Sequence, residues 1–265
     1  MTAASSRVPA GHYRFRHAAR MEWIKLRSLR STWWTLVISA AGAVAIALTV
    51  GVNTKNASGD LTNNALAGIV PALLLTGVLG VVTMTSEFTS GMIRATLAAV
   101  PGRPVLLAAK AAVLGALALA AGESAAFISF FAGSGALGPG VHPPALGQPG
   151  VLRAVVLSGA SFCLIALLGL GLGAIIRHTA VAVAVLVGGV YLAPSFIGAF
   201  AHGAVTYSPI IIIANSLSTT KPEACGPPGA DCPQFLAAWA GLGVLALYAA
   251  AALAIGGWLL ARRDA

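Results

Sequence analysis

The side chains able to do chemistry are few, and most stand alone. The chain has 5 histidines, 3 cysteines and 7 acids in 265 residues. His12, His17 and His142 fall in tails or loops, and His178 and His202 at the ends of apolar runs. No His-Glu-x-x-His pair is present, the spacing that sets two imidazoles on one helix face around zinc. Gly159-Ala160-Ser161 offers a hydroxyl within an apolar run, but Phe162 stands where an intramembrane serine nucleophile needs glycine. No histidine lies deep in another run to act as its base. No lysine follows a glycine, so the Gly-x-x-x-x-Gly-Lys phosphate cradle is missing. The chain is therefore not expected to be an enzyme, and neither metal nor cofactor is expected on it.

The remaining candidates are isolated acids and thiols. Glu123 is the one acid inside a long apolar run. A carboxylate at mid-bilayer costs about 2.5–3.5 kcal/mol on insertion scales, so it must face protein or water or stay protonated. It reads either as a pathway residue for a cationic or polar substrate, or as a helix–helix hydrogen bond or a group nearer the outer interface. Lys110, in the same run, can snorkel to the inner surface. Cys163 lies in an apolar run as a packing residue. Cys225 and Cys232 share one predicted outer loop, where an oxidising exterior permits a disulfide; two free thiols are the alternative. With no histidine nearby they do not complete a zinc site.

The elements that position these groups follow from composition. The chain is 58% hydrophobic and 9% charged, where a soluble domain carries roughly a quarter charged residues. Six runs, about 33–52, 66–85, 105–131, 152–176, 180–200 and 235–260, are long and apolar enough to cross a bilayer as helices. The expected fold is an all-α integral membrane protein with a cytosolic tail and interfacial helix over 1–32 and a six-span domain over 33–265. Pro71 falls in the first turn of span two, and Pro194 should kink span five. Gly169, Gly171 and Gly173 in span four permit close helix approach. The first run reads as a retained span and not a secretory signal, since it follows a long basic stretch and lacks a small-residue exit site.

Charge sets the orientation. With the N-terminus in the cytosol, six crossings return the C-terminus there. The inner side then holds Arg7, Arg14, Arg16, Arg20, Lys25, Arg27, Arg30, Arg94, Arg103, Lys110, Arg177, Arg262 and Arg263; the outer side holds Lys55, Arg153 and Lys221. That is the positive-inside pattern of a multi-pass plasma-membrane protein with both termini cytosolic. Topology and attraction to anionic headgroups account for the net charge of +9, and no aromatic-basic platform points to nucleic acid. Residues 14–32 form an amphipathic helix along the inner surface, with Phe15, Ala18, Ala19, Trp23, Leu26, Leu29 and Trp33 on one face and Arg16, Arg20, Arg27 and Arg30 on the other. Glu22 breaks its apolar arc. It either pairs with Lys25 along the helix or contacts another protein surface.

The inner loop 86–104 is the most specific segment. It runs from Glu87 through Gly91, Arg94, Thr96 and Leu97 to Pro101 and Arg103. It reads as a short helix with Glu87 near its positive dipole end, closed by proline. A helix there exceeds what a connector needs. It serves either as a lever for an outside partner or as an interfacial helix holding two spans apart. The only long loop, 202–234, contains Pro209 and four isoleucines, Ile210 to Ile213, too short to cross but able to dip part-way if protein covers its backbone.

The order Glu87, Gly91, Arg94, Thr96-Leu97, Pro101, Arg103, Lys110 resembles the inner loop of type-2 ABC export permeases. Leu26 to Trp33 is similar to their cytosolic entry helix, and Ile175-Ile176-Arg177-His178-Thr179-Ala180 to their turn between spans four and five. The resemblance covers nearly the whole chain and rests on motif order and spacing. It implies a coupling helix between spans two and three that docks in a groove of a separate ATPase subunit. On that basis Glu87, Gly91, Arg94, Thr96 and Arg103 form the interface and its scaffold, with Arg177 and His178 as a second contact. Loop 202–234 then corresponds to an outer or re-entrant region. It further implies two permease chains around one pathway, and ATP with magnesium bound by the partner. The alternatives are an ion-coupled secondary transporter using Glu123, and a non-transporting scaffold or sensor. The substrate is not legible; the Ala/Gly/Arg-rich composition is compatible with a bacterial source.

Overall fold

The computed structural model describes residues 15–55, 59–92, 102–193, 196, 202–219 and 236–262. Every regular element among them is helical. In chain order these are α1 (Phe15–Ser28), α2 (Arg30–Asn53), α3 (Leu61–Ala65), α4 (Ile69–Thr89), α5 (Arg103–Gly135), α6 (Val151–Ile176), α7 (Thr179–Val187), α8 (Pro209–Leu217) and α9 (Ala238–Arg262). A π-helical turn at Gly188–Leu192 prolongs α7, and a 3-10 turn at His202–Tyr207 precedes α8.

Five helices, α2, α4, α5, α6 and α9, are long and apolar enough to cross a membrane. The expected span over 180–200 is the exception. Its α-helical part stops at Val187, where Gly188 and Gly189 supply the poorest α-helix formers short of proline and the ladder widens into the π turn. Residues 194–195 and 197–201, including the expected kink at Pro194, lie outside the described residues. The segment still travels far. Thr179 Oγ1 meets Thr85 Oγ1 at 2.8 Å, and the Tyr191 hydroxyl donates to the Val70 carbonyl at 2.9 Å. Those two anchor points on α4 are about 22 Å apart at 1.5 Å per residue.

Helix α6 is the hub, packed on α4, α5 and α9. Of its apolar window 67% is buried, against 28% for α2 and for α9, so the last two present most of their surface outward. The close approach of α4 and α6 depends on paired glycines. A Cβ at Gly80 would lie 2.1 Å from the Ala166 carbonyl oxygen, and one at Gly169 would lie 2.2 Å from that of Gly77. Both contacts are with backbone, which cannot swing aside. Helix α8, too short to span, buries Ile212, Ile213 and Leu217 against α9 and α6, so protein covers its apolar face.

The expected continuous helix over 14–32 is two pieces. Leu29 takes an extended conformation and separates α1 from α2. The expected apolar face also divides. Ala18, Glu22 and Leu26, at spacing i, i+4, i+8, turn into the bundle, while Phe15 and Trp23 stay exposed. Trp33 donates from its indole to the Arg27 carbonyl at 3.2 Å and so closes the corner.

Candidate functional site

Three helices bring four charged side chains together. Glu22 and Lys25 come from α1, Glu87 from the last turn of α4, and Lys110 from the second turn of α5. Glu22 and Lys110 are fully buried and Glu87 nearly so; Lys25 keeps partial contact with water. Lys110 Nζ lies 2.6 Å from Glu22 Oε2 and 2.8 Å from Glu87 Oε1. Lys25 Nζ lies 3.2 Å from Glu22 Oε1 and also donates to Glu87 Oε1. Two carboxylates and two ammoniums cancel in charge, and each carboxylate touches both cations. Glu87 Oε2 is buried without a hydrogen-bond partner among the described residues.

The arrangement follows from local sequence. Ala18 and Leu26 flank Glu22 by one turn on either side, so seating their apolar surface buries the carboxylate between them. An ion buried this way is tolerated only with a partner in good geometry. Lys110 supplies it. The expected snorkelling of Lys110 is overturned, because two carboxylates lie within hydrogen-bond reach and its side chain has no exposure at all. The Glu22–Lys25 pair along α1 is present, but it is one edge of a larger network. Burial pushes the Lys25 ammonium down, yet Glu87 and Glu22 outweigh it and hold the group above its ordinary value.

The loop residues fare differently. Glu87 points into the bundle and pairs there. Gly91 is exposed with φ +69°, ending α4 in a left-handed turn suited to glycine, its N–H donating to the Phe88 carbonyl at 3.3 Å. Arg94 and Thr96 lie outside the described residues, as do Cys225 and Cys232. Arg103 donates to the carbonyls of Leu260 at 2.9 Å and Ala261 at 3.4 Å, fastening the start of α5 to the end of α9. Arg177 ends α6 in a left-handed conformation, donates to the Leu259 carbonyl at 3.4 Å and lies 5.0 Å from the Phe88 ring centre. His178 is the exposed residue at the N-cap position of α7. Trp23, Arg27 and Arg30 are exposed. The end of the bundle bearing α1 thus gathers Arg103 and Arg177 beside the four-charge network.

A second polar joint, at the opposite end, centres on Asp60. Its Oδ1 caps α3, accepting from the amides of Thr62 and Asn63 at 3.1 Å each. The same carboxylate accepts from the Ser218 hydroxyl at 2.8 Å, the Thr219 hydroxyl at 2.9 Å and the Thr219 amide. Arg153 donates to the Ser218 carbonyl at 2.8 Å. The only sequence sign of this joint is the Asp-x-x-Asn start of α3, which gives the cap and not its distant partners. Glu123 is half-buried in α5 against α6, away from both joints. No group of three metal-ligating side chains occurs among the described residues. No protein-family model matches this chain, and no curated protein matches it significantly.

Proposed function

We propose that this chain is the membrane-spanning permease subunit of an ATP-driven exporter, with hydrolysis on a separate ATPase subunit. The observation that carries this reading is the placement of the four-charge network. Glu87 lies two residues before the end of α4, and Lys110 seven residues after the start of α5. The network therefore clamps both helices that flank the segment 90–102, and it clamps α1 to them. A segment that receives force from a partner needs such a joint, or the push is lost in the loop. The resemblance to type-2 export permeases supplies the partner: an ATPase that closes on ATP and moves the segment around Arg94 and Thr96. A sixth crossing that begins with α7 and its π turn completes the layout, with both termini cytosolic. Two such chains enclose the pathway.

The experiment is co-expression with a candidate ATPase that carries Walker motifs, sought among the neighbouring genes. The wild-type chain should co-purify with it and transport in an ATP-dependent manner. Arg94→Glu should insert normally but lose the ATPase. Absence of any ATPase association by the wild-type chain, or normal transport by Arg94→Glu, would contradict the reading.

A further inference from the structure

Of the four acids among the described residues, Glu22, Asp60 and Glu87 all have hydrogen-bonded partners. Glu123 makes no hydrogen bond or ion pair there. It stands 20 residues into α5, about 30 Å from one end and 18 Å from the other. Its carboxyl is pressed onto α6 at a glycine. A Cβ on Gly159 would come within 2.5 Å of Glu123 Cδ and 2.7 Å of Oε2. Only glycine leaves that seat open.

The seat adjoins a groove. Leu119, one turn before Glu123, and Ala160, next to Gly159, both line an apolar hollow of about 270 Å³ between α5, α6 and α9. Cys163, Leu164, Leu242 and Trp239 are among the other residues of its wall, and no cationic side chain lines it. The Trp239 indole is 64% exposed, so the hollow is open on its outward side.

We propose, building on the permease reading above, that Glu123 and this groove bind an amphiphilic monovalent cation. A neutral apolar molecule would fill the groove and leave the carboxyl unanswered in a medium where that is costly. An anion would be repelled. A cation with an apolar body satisfies both parts, and the indole face adds a second surface that attracts positive charge.

The test uses the full chain in lipid nanodiscs, with radiolabelled tetraphenylphosphonium as the cation and tetraphenylborate as the anion of the same shape. Cys163 serves as a reporter in the wall, its alkylation by N-ethylmaleimide read by mass spectrometry of its own peptide. The cation should bind saturably and protect Cys163; the anion should do neither. Glu123→Gln should weaken binding by about tenfold, the scale of one partly solvated charge–charge contact. Glu123→Asp should retain the preference for the cation, which keeps the test decisive if the glutamine variant folds poorly. Simple partition of the cation, equal in wild type and Glu123→Gln, would overturn the site. So would equal binding of both ions, or a Cys163–Cys163 disulfide between two copies, which would mean that a second chain covers the groove. Binding needs no ATPase. A chain that binds the cation but recruits no ATPase keeps this site and loses the permease reading; one that recruits an ATPase but only partitions the cation loses the site alone.

Discussion

At the end of the bundle where α1 lies, four charged side chains join three helices; at the opposite end one carboxylate, Asp60, joins a helix start to the segment after α8. The first joint is made of side chain to side chain contacts among ions taken out of water. The second draws on backbone amides and hydroxyls, with Arg153 holding a neighbouring carbonyl. The difference is energetic. An ion network deprived of one member leaves buried charge uncompensated, so it holds as a unit or fails as a unit. A capping carboxylate loses its contacts one at a time. A joint of the first kind suits two discrete arrangements of α1 against the spans; one of the second kind suits a fixed clip.

The largest effect should come from the first joint. Lys110→Met leaves Glu22 facing only the partly exposed Lys25, and should lower stability by about 3–5 kcal/mol, read from thermal unfolding in detergent micelles. A change below ~1 kcal/mol would mean that water already solvates the network and that the two joints do not differ in kind. Asp60→Ala should cost about 1–2 kcal/mol, the range of a lost helix cap, and should expose the segment around Ser218 to protease without disturbing α1. Release of α1 in that variant would show that the joints are coupled. The smallest effect belongs to Lys25, whose side chain retains 24% exposure. Its ammonium is held above 10.5, so its contribution is complete below that value and fades as pH rises through the raised one. The stability gap between wild type and Lys25→Met should be constant from pH 7 to about 10 and narrow beyond it; a gap that instead closes on the acid side of neutrality would contradict this assignment.

The sequence made some of this legible and hid the rest for physical reasons. Long apolar helices announce themselves, because each hydrophobic residue reports on its own solvent, and five spans stand where expected. The segment after Thr179 is less regular because Gly188 and Gly189 break a helix whose hydropathy is otherwise adequate. Glu22 was visible as a misfit in an apolar arc. Its main partner was not, since Lys110 lies 88 positions away and a lysine near a span end has an easy alternative in snorkelling. One signal was available: Glu22, Glu87 and Lys110 all sit in apolar settings near the same end of the bundle, and charges sharing a dry layer must answer one another. Glu87 drew attention for the segment it begins, yet its carboxylate faces the opposite way, into the bundle. Asp60 went unread: the Asp-x-x-Asn start of α3 could have signalled its cap, but not Ser218 and Thr219, because contacts across 158 residues leave no local pattern.

The central claim is that α1 is locked to the helices flanking segment 90–102 by mutual charge pairing. A double-mutant cycle on Glu22→Gln and Lys110→Met measures that directly by chemical or thermal unfolding. The account predicts that the double variant is much less damaged than the sum of the singles, with a coupling of about 1–3 kcal/mol. Costs that simply add, within about 0.5 kcal/mol, would contradict it.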